Sequence, residues 1–304
     1  YEEINLDNDD ERFKFYTEIS SKVGKTVSTV PQIFIGDKYI GSYDDFKKYN
    51  KNKFNFELLE KCCKTIVRGL NNVVDKNKYP IIETKISNFR HRPLGIGVQG
   101  FADLLFKMKY SFESKNARDL NREIFEHIQY FCLKYSMEIS KFRYNIMKTD
   151  EFEEFARKSI DSVDKLQFKY HPNERLPNIF TFYYKNEMFT YVELLKYFEL
   201  KDRDKKYFGA YSTFEGSPLS KGLFQYELAN EEPVYVSKDK WDELRKNIIE
   251  YGVRNSQLIA LMPTASTSQI LGNNECFEPI TSNIYTRRTL AGDFIKINKY
   301  LVDD

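Results

Sequence analysis

The sequence predicts an α/β protein in two unequal parts. Three observations carry this. Long stretches place apolar residues three and four apart, the period of an amphipathic helix. Short apolar runs bounded by Gly, Pro and Asp read as strands. The two kinds of segment alternate, and a polar, aromatic-rich region near residues 147–207 interrupts them. A length of 304 residues suits roughly two domains. Hydrophobic residues make up 41% and charged residues 30%, so the chain buries a core rather than staying disordered.

Residues 1–50 form the first part, with the order strand, helix, strand, strand, helix. Ile4 and Leu6 alternate with charge within Glu2–Leu6, a strand. Asn8–Ser20 is helical, with Asp7 or Asn8 as cap and acidic residues in its first turn. Gln32–Ile35 and Lys38–Ile40 flank the turn pair Gly36-Asp37 and make a hairpin. Asp44 and Asp45 open the helix Tyr43–Tyr49.

Residues 51–56 are a linker into the second part, 51–304. Leu59, Cys63, Ile66, Leu70 and Val73 make one apolar helical stripe, which Pro80 ends. Ile81–Phe89 is a short helix. Leu94–Val98 is a buried strand and Gly100–Lys107 a helix. A long helix covers about 114–143, capped by Ser114, with the stripe Ala117, Leu120, Ile124, Ile128, Phe131, Tyr135 and Ile139. Periodicity then fades outside Thr190–Phe198, so 147–207 reads as a folded but peripheral insertion. Ser217-Pro218 opens a helix, since Pro suits a first turn. Ser237–Tyr251 is another, ended by Gly252. Gln257–Leu261 is a short strand, and Met262–Ser268 is a loop.

Charge and composition exclude several functions. Lys+Arg number 47 against 45 Asp+Glu, a net charge of +2, which disfavours a nucleic-acid partner. No apolar run approaches the ~18–20 residues that span a bilayer, and no secretory signal opens the chain, so a cytoplasmic, membrane-free protein is expected. The chain does not begin with Met, and its ends are expected not to be natural ends. The four cysteines, Cys62, Cys63, Cys132 and Cys276, form no CxxC and no zinc spacing with the three histidines. They read as reduced thiols, and no metal site is expected.

Three motifs have candidate chemistry. Gly95-Ile96-Gly97-Val98-Gln99-Gly100 matches GxGxxG. A dinucleotide site needs its glycines in the turn after a strand. Here apolar residues interleave them, so they read as strand glycines that admit another backbone. The second motif, Pro263-Thr264-Ala265-Ser266-Thr267, continues into Ser268. Hydroxyls packed this densely after a strand make either an ordinary Ser/Thr turn or a phosphate-binding floor of hydroxyls and backbone N–H groups. The third pairs Thr29-Val30-Pro31 with Gly41-Ser42-Tyr43-Asp44-Asp45. It reads as an ordinary turn and N-cap, or as a cis-Pro loop facing a helix start able to hold a carboxylate.

Two resemblances sharpen these alternatives. YEEINLDNDDERFKFY, TVPQIFI and IGSYDD resemble the C-terminal two-thirds of a glutaredoxin. That resemblance implies a partial thioredoxin-like unit that binds glutathione, in which Pro31 is the Pro of the cis-Pro loop, Val30 pairs by its backbone with the cysteinyl part, and Tyr43 and Asp44 receive the γ-glutamyl end. The family's CxxC has no counterpart here, and Ser42 stands where a Gly is usual.

SNFRHRPLGIGVQGFADLLF, FEGSPLSKG and YGVRNSQLIALMPTASTSQILGNNECFEPITSNIYTRRTLAGDF resemble the large subunit of class I ribonucleotide reductase, of eukaryotic and viral type. The resemblance implies part of a ten-stranded α/β barrel. It assigns the substrate diphosphate to Pro263, Thr264, Ala265, Ser266 and Thr267, and makes the GIGVQG run a barrel strand. It implies reduction of ribonucleoside diphosphates by thiyl-radical chemistry. None of the four cysteines matches a family catalytic position, so no catalytic residue is expected in this chain. The chain is expected to be a fragment, with a glutaredoxin inserted into a reductase connection. Expected partners are a small subunit carrying a radical metallocofactor, a second large subunit, glutathione or a dithiol as reductant, and ATP or dNTP effectors bound outside the fragment. The rival expectations are a non-catalytic nucleotide-binding relative and a glutathione-dependent thiol oxidoreductase.

Overall fold

The computed structural model describes residues 17–18, 20–21, 33–35, 38–41, 54–165, 180–199, 207–289 and 292–301. They fall into two compact units, Tyr1–Phe54 with Leu104–Ser111, and Asn55–Asp103 with Phe112–Asp304.

In the smaller unit, β1 (Ile33–Ile35) pairs antiparallel with β2 (Lys38–Gly41), the hairpin its sequence predicts. Residues 17–18 and 20–21 are helical. Val30, Pro31, Tyr43 and Asp44 lie outside the described residues.

The larger unit is mainly helical. Its elements are α1 (Phe56–Lys76), α2 (Ile82–His91), the first three residues of α3 (Phe101–Met108), whose remainder belongs to the smaller unit, α4 (Lys115–Met147), α5 (Asp150–Asp164), β3 (Thr181–Tyr184), β4 (Glu187–Thr190), α6 (Tyr191–Glu199), α7 (Gln225–Leu228), α8 (Lys238–Tyr251), α9 (Ala265–Leu271), β5 (Ile284–Thr289) and β6 (Gly292–Ile297). The α4 stripe is as predicted: Ala117, Leu120, Ile124, Ile128, Phe131, Tyr135 and Ile139 are all buried. Ser114 caps α4 by accepting the Ala117 N–H at 3.1 Å. α8 ends at Gly252, whose φ of +70° suits glycine. Its buried Trp241 meets Tyr130, Phe224 and Tyr226 edge-on, at centroid distances of 5.2, 4.8 and 5.1 Å.

Four expectations change. On α1 the buried face is Cys63, Val67, Asn71 and Val74, while Ile66 and Val73 stay 41% and 56% exposed. The face turns because polar Asn71 points inward, into a network of buried amides. Ser217-Pro218 opens only a 3-10 turn, Leu219–Lys221. Leu94–Val98 and Gln257–Leu261 form no full strands. They pair in parallel through one bridge, Ile96 with Ile259, and three N–H···O bonds: Leu94 to Gln257, Ile96 to Leu258 and Ala260 to Ile96, at 2.9, 2.8 and 3.0 Å. Among the described residues no sheet exceeds two strands, and a closed barrel is absent. A parallel pair with no third strand closes few bonds, so its order stays local.

The fourth change concerns 147–207, whose described parts are not peripheral. Phe152, Ala156, Phe189, Leu194 and Tyr197 join Ile146 and Met147 of α4 in one buried cluster. Phe152 is the hub, with Phe189, Tyr197, Tyr184 and Phe155 rings 4.8–5.7 Å away. The segment also sends carboxylates inward. Glu187 pairs with Arg68 at 2.5 Å and Arg143 at 3.4 Å, and Glu193 with Arg143 at 3.3 Å and Arg254 at 3.6 Å. Such buried ions hold only because each meets an opposite charge. Periodicity missed this core because three helices and a short hairpin each supply only one or two of its buried residues.

Candidate functional site

The parallel pair is fixed from below. Asn255 and Asn71 exchange amide hydrogen bonds at 3.0 and 3.1 Å. Asn255 Nδ2 also donates to the Arg92 carbonyl at 2.8 Å, and its Oδ1 accepts the Ser136 hydroxyl at 2.9 Å. Arg92 holds φ at +47°, a left-handed conformation that a non-glycine residue keeps only when anchored. Its guanidinium reaches Asn71 at 3.1–3.2 Å and Asp75 at 2.7 Å. From this anchor both segments leave together, since Ser256 N–H donates to the His91 carbonyl at 3.0 Å.

They pack closely above it. A Cβ on Gly97 would meet the Met262 sulfur at 2.8 Å and the Ala260 carbonyl oxygen at 2.9 Å. One on Gly100, at φ +76°, would meet the Asn273 side chain at 3.1 Å. Of the GxGxxG glycines, Gly97 therefore serves the close backbone approach that the interleaved apolar residues predict, while Gly95 and Gly100 face side chains.

Residues 263–267 sit where the second segment ends. The predicted loop is shorter than expected, because the hydroxyl run from Ala265 is already the first turn of α9. Gly272, left-handed at φ +69°, closes that helix. Thr264 is the N-cap residue, yet its hydroxyl accepts the Cys276 N–H at 2.8 Å instead of capping. Its carbonyl takes the Ser268 N–H at 2.9 Å. The amides of Ala265, Ser266 and Thr267 precede the first intrahelical donor and have no helical acceptor. The exposed Ser266 hydroxyl has no partner among the described residues, and Thr267 donates its hydroxyl to Gln99 Oε1 at 2.9 Å. All five predicted residues thus share one turn, which offers amides and hydroxyls to an anion.

A second loop, 273–276, holds that turn. Asn273 N–H donates to Ser268, while Gly100 and Phe101 N–H groups donate to Asn274 and Cys276, at 3.0, 2.9 and 3.4 Å. Asn274 N–H donates to Asp103 Oδ2 at 2.6 Å, and Tyr300 donates to its Oδ1 at 2.8 Å. Gln99 Nε2 donates to Asn273 Oδ1 at 3.2 Å, so Gln99 joins the two loops. A cleft of about 790 Å³ opens beside the other end of α9, lined by Asp103, Gly272, Asn273, Glu275, Arg287 and Lys299 among others. Sequence reasoning missed Gln99, Asp103 and Asn273. The one signal was an amide set directly before a glycine, in the QG of GIGVQG.

Cys276 meets this turn through its backbone N–H, which donates to the Thr264 hydroxyl. Cys62 is exposed and the other three are buried, all as free thiols. The Cys132 thiol hydrogen-bonds Cys63 across α1 and α4, holding Cys63 below the ordinary thiol range, while Cys132 is pushed up by that bond and by burial. Among the described residues no cluster of three or more His, Cys, Asp or Glu could hold a metal, and no helix is long and apolar enough to cross a membrane.

Residues 32–304 match the family described as ribonucleotide reductase, barrel domain. The chain is 38% identical over 251 residues to a ribonucleoside-diphosphate reductase large chain of Saccharomyces cerevisiae, covering 83% of this chain and 21% of that protein. A large subunit from Arabidopsis thaliana is 39% identical over 269 residues, covering 88% and 24%. The large subunit of Acanthamoeba polyphaga mimivirus is 37% identical over 252 residues, covering 83% and 21%. The chain thus spans about a fifth to a quarter of the length of the curated relatives it matches.

Proposed function

This chain belongs to the ribonucleotide reductase barrel-domain family, and on that premise we propose that residues 263–267 bind the diphosphate of a ribonucleoside diphosphate. The observation that carries the reading is the α9 entry turn, where three amides without a partner among the described residues share one turn with the Ser266 and Thr267 hydroxyls. Such donors suit a diphosphate without a basic surface, in keeping with the net charge of +2.

The complete protein is a large subunit that replaces the ribose 2′-hydroxyl by hydrogen. The hydroxyl leaves as water, and the two electrons come from a dithiol that becomes a disulfide. A small subunit's radical metallocofactor supplies the oxidising equivalent that starts the reaction. This chain's own work is to hold the substrate by its phosphates, and the reacting thiols are not among its four cysteines. A homodimeric large subunit, ATP or dNTP effectors and a cytoplasmic setting complete the proposal. Residues 1–50 are proposed as a partial glutaredoxin-like module with glutathione at Val30, Pro31, Tyr43 and Asp44. The family match begins at residue 32 and so overlaps the second half of that module.

The test is cytidine diphosphate reduction by the complete gene product with small subunit and dithiol. Thr264→Val with Ser266→Ala is expected to raise KM. Because Thr264 also holds Cys276, Ser266→Ala alone is the cleaner arm. Unchanged KM and turnover in both would remove the loop from the account.

A further inference from the structure

We infer that Gln99 is a positioning residue for the phosphate turn, acting through Thr267 as the end of an invertible amide relay. The inference rests on the reading of 263–267 as that turn.

A threonine hydroxyl has one proton to give. Here Thr267 gives it to Gln99 Oε1 at 2.9 Å, with the Thr264 carbonyl at 3.4 Å as its only other acceptor among the described residues. A phosphate presents acceptors alone. In this arrangement Thr267 would face it with lone pairs.

The relay removes that conflict without breaking its own bonds. Gln99 Nε2 donates to Asn273 Oδ1 at 3.2 Å. Turning both amides end for end leaves their heavy atoms where they are, because amide N and O are nearly alike in size. Gln99 Nε2 then donates to Thr267 Oγ1, and Asn273 Nδ2 donates to Gln99 Oε1. Two hydrogen bonds exist before and two after. The difference is that the Thr267 proton is released toward the ligand, from a hydroxyl polarised by the bond it now accepts.

The surroundings permit the turn and nothing looser. Among the described residues neither amide side chain has another hydrogen-bond partner, so inversion strands no group. Asn273 is held by its backbone N–H to the Ser268 carbonyl at 3.0 Å. Its side chain packs 3.1–3.2 Å from where a Cβ on Gly100 would sit, which fixes the relay's place.

The test uses the complete gene product with its small subunit, and cytidine diphosphate as probe. Gln99→Met keeps the length and removes both amide ends. It is expected to raise the cytidine diphosphate Kd roughly threefold to tenfold, the range of one hydrogen bond. The loss appears in Kd and KM rather than in kcat, and in a Thr267→Val background the same change adds less than about twofold. Gln99→Glu accepts only, so it pins the Thr267 proton and is expected to cost more than Gln99→Met, beyond roughly tenfold. Thermal unfolding midpoints within about 2 °C of wild type separate these effects from misfolding.

Equal losses from Gln99→Met with and without Thr267 would overturn the relay, as would wild-type binding by Gln99→Glu. Either result alongside weakened binding by Ser266→Ala keeps the phosphate turn and rejects only Gln99. Unchanged binding by Ser266→Ala and Thr267→Val together would reject the turn itself.

Discussion

Asn255→Ala is expected to destabilise the larger unit far more than a surface asparagine change. Asn255 is 1% exposed, and its side chain makes four hydrogen bonds of 2.8–3.1 Å. Four groups lose a partner when it goes, and three of them are left with a hydrogen bond unmade. The Arg92 carbonyl loses its 2.8 Å donor, and the Ser136 hydroxyl its 2.9 Å acceptor. One Asn71 Nδ2 hydrogen loses its 3.0 Å acceptor, while the other keeps the Val67 carbonyl. Asn71 Oδ1 keeps Arg92. Each stranded buried group costs about 1–3 kcal/mol, and a water in the vacated space recovers part. The sum is about 3–5 kcal/mol, or about 6–20 °C in Tm for a unit of this size. Thermal unfolding followed by circular dichroism, beside the control Asn247→Ala, measures it. A loss no larger than the control's, below about 1 kcal/mol, would refute the claim that this amide network anchors the parallel pair.

The other predictions concern the close backbone approach, the buried ions and acid. Gly97→Ala is expected to cost about 1–3 kcal/mol by overpacking and to weaken cytidine diphosphate binding. Adding Met262→Ala should not restore it, because the Ala260 carbonyl, 2.9 Å from the new Cβ, is backbone; full recovery of Tm in the double variant would contradict this. Glu187→Ala leaves Arg143 short of a partner and is expected to cost about 3–5 kcal/mol. Limited proteolysis should then cut first within 147–207, and cleavage unchanged from wild type would count against the buried ion cluster. Burial alone would raise the Glu193 carboxyl, but the Arg143 and Arg254 guanidiniums outweigh it and hold the group below its ordinary 4.5. A depressed carboxyl adds stability that is full above its unfolded value and fades as pH falls through the folded one. Stability should therefore drop on acidification below about pH 4.5, and Glu193→Gln should flatten that drop; an identical acid profile would dismiss the pairing.

How much of this was legible in the sequence differs by element. The α4 stripe and its Ser114 cap could be read directly, because a long amphipathic helix repeats one signal many times. The turn at 263–267 was legible as a cluster of hydroxyls, though its helical first turn was not, since Ser and Thr read equally as loop. α1 was misread by one position because periodicity counts apolar residues, and Asn71 is buried for its hydrogen bonds. Glu187 and Glu193 were invisible for a related reason: a carboxylate reads as surface until its arginine partners, distant in sequence, are known. Gln99 lay in a motif examined for its glycines, and its partners Thr267 and Asn273 are about 170 residues away in the chain. Only the fold brings such groups together.

Hydrogen exchange at the α9 entry tests the central claim most directly. The amides of Ala265, Ser266 and Thr267 have no helical acceptor and should exchange freely in the unliganded protein. Cytidine diphosphate added to the complete gene product should slow exchange in peptides spanning 262–271, and cytidine at the same concentration should not. Equal exchange with and without cytidine diphosphate, at concentrations that saturate binding, would contradict the assignment of residues 263–267 to the substrate diphosphate.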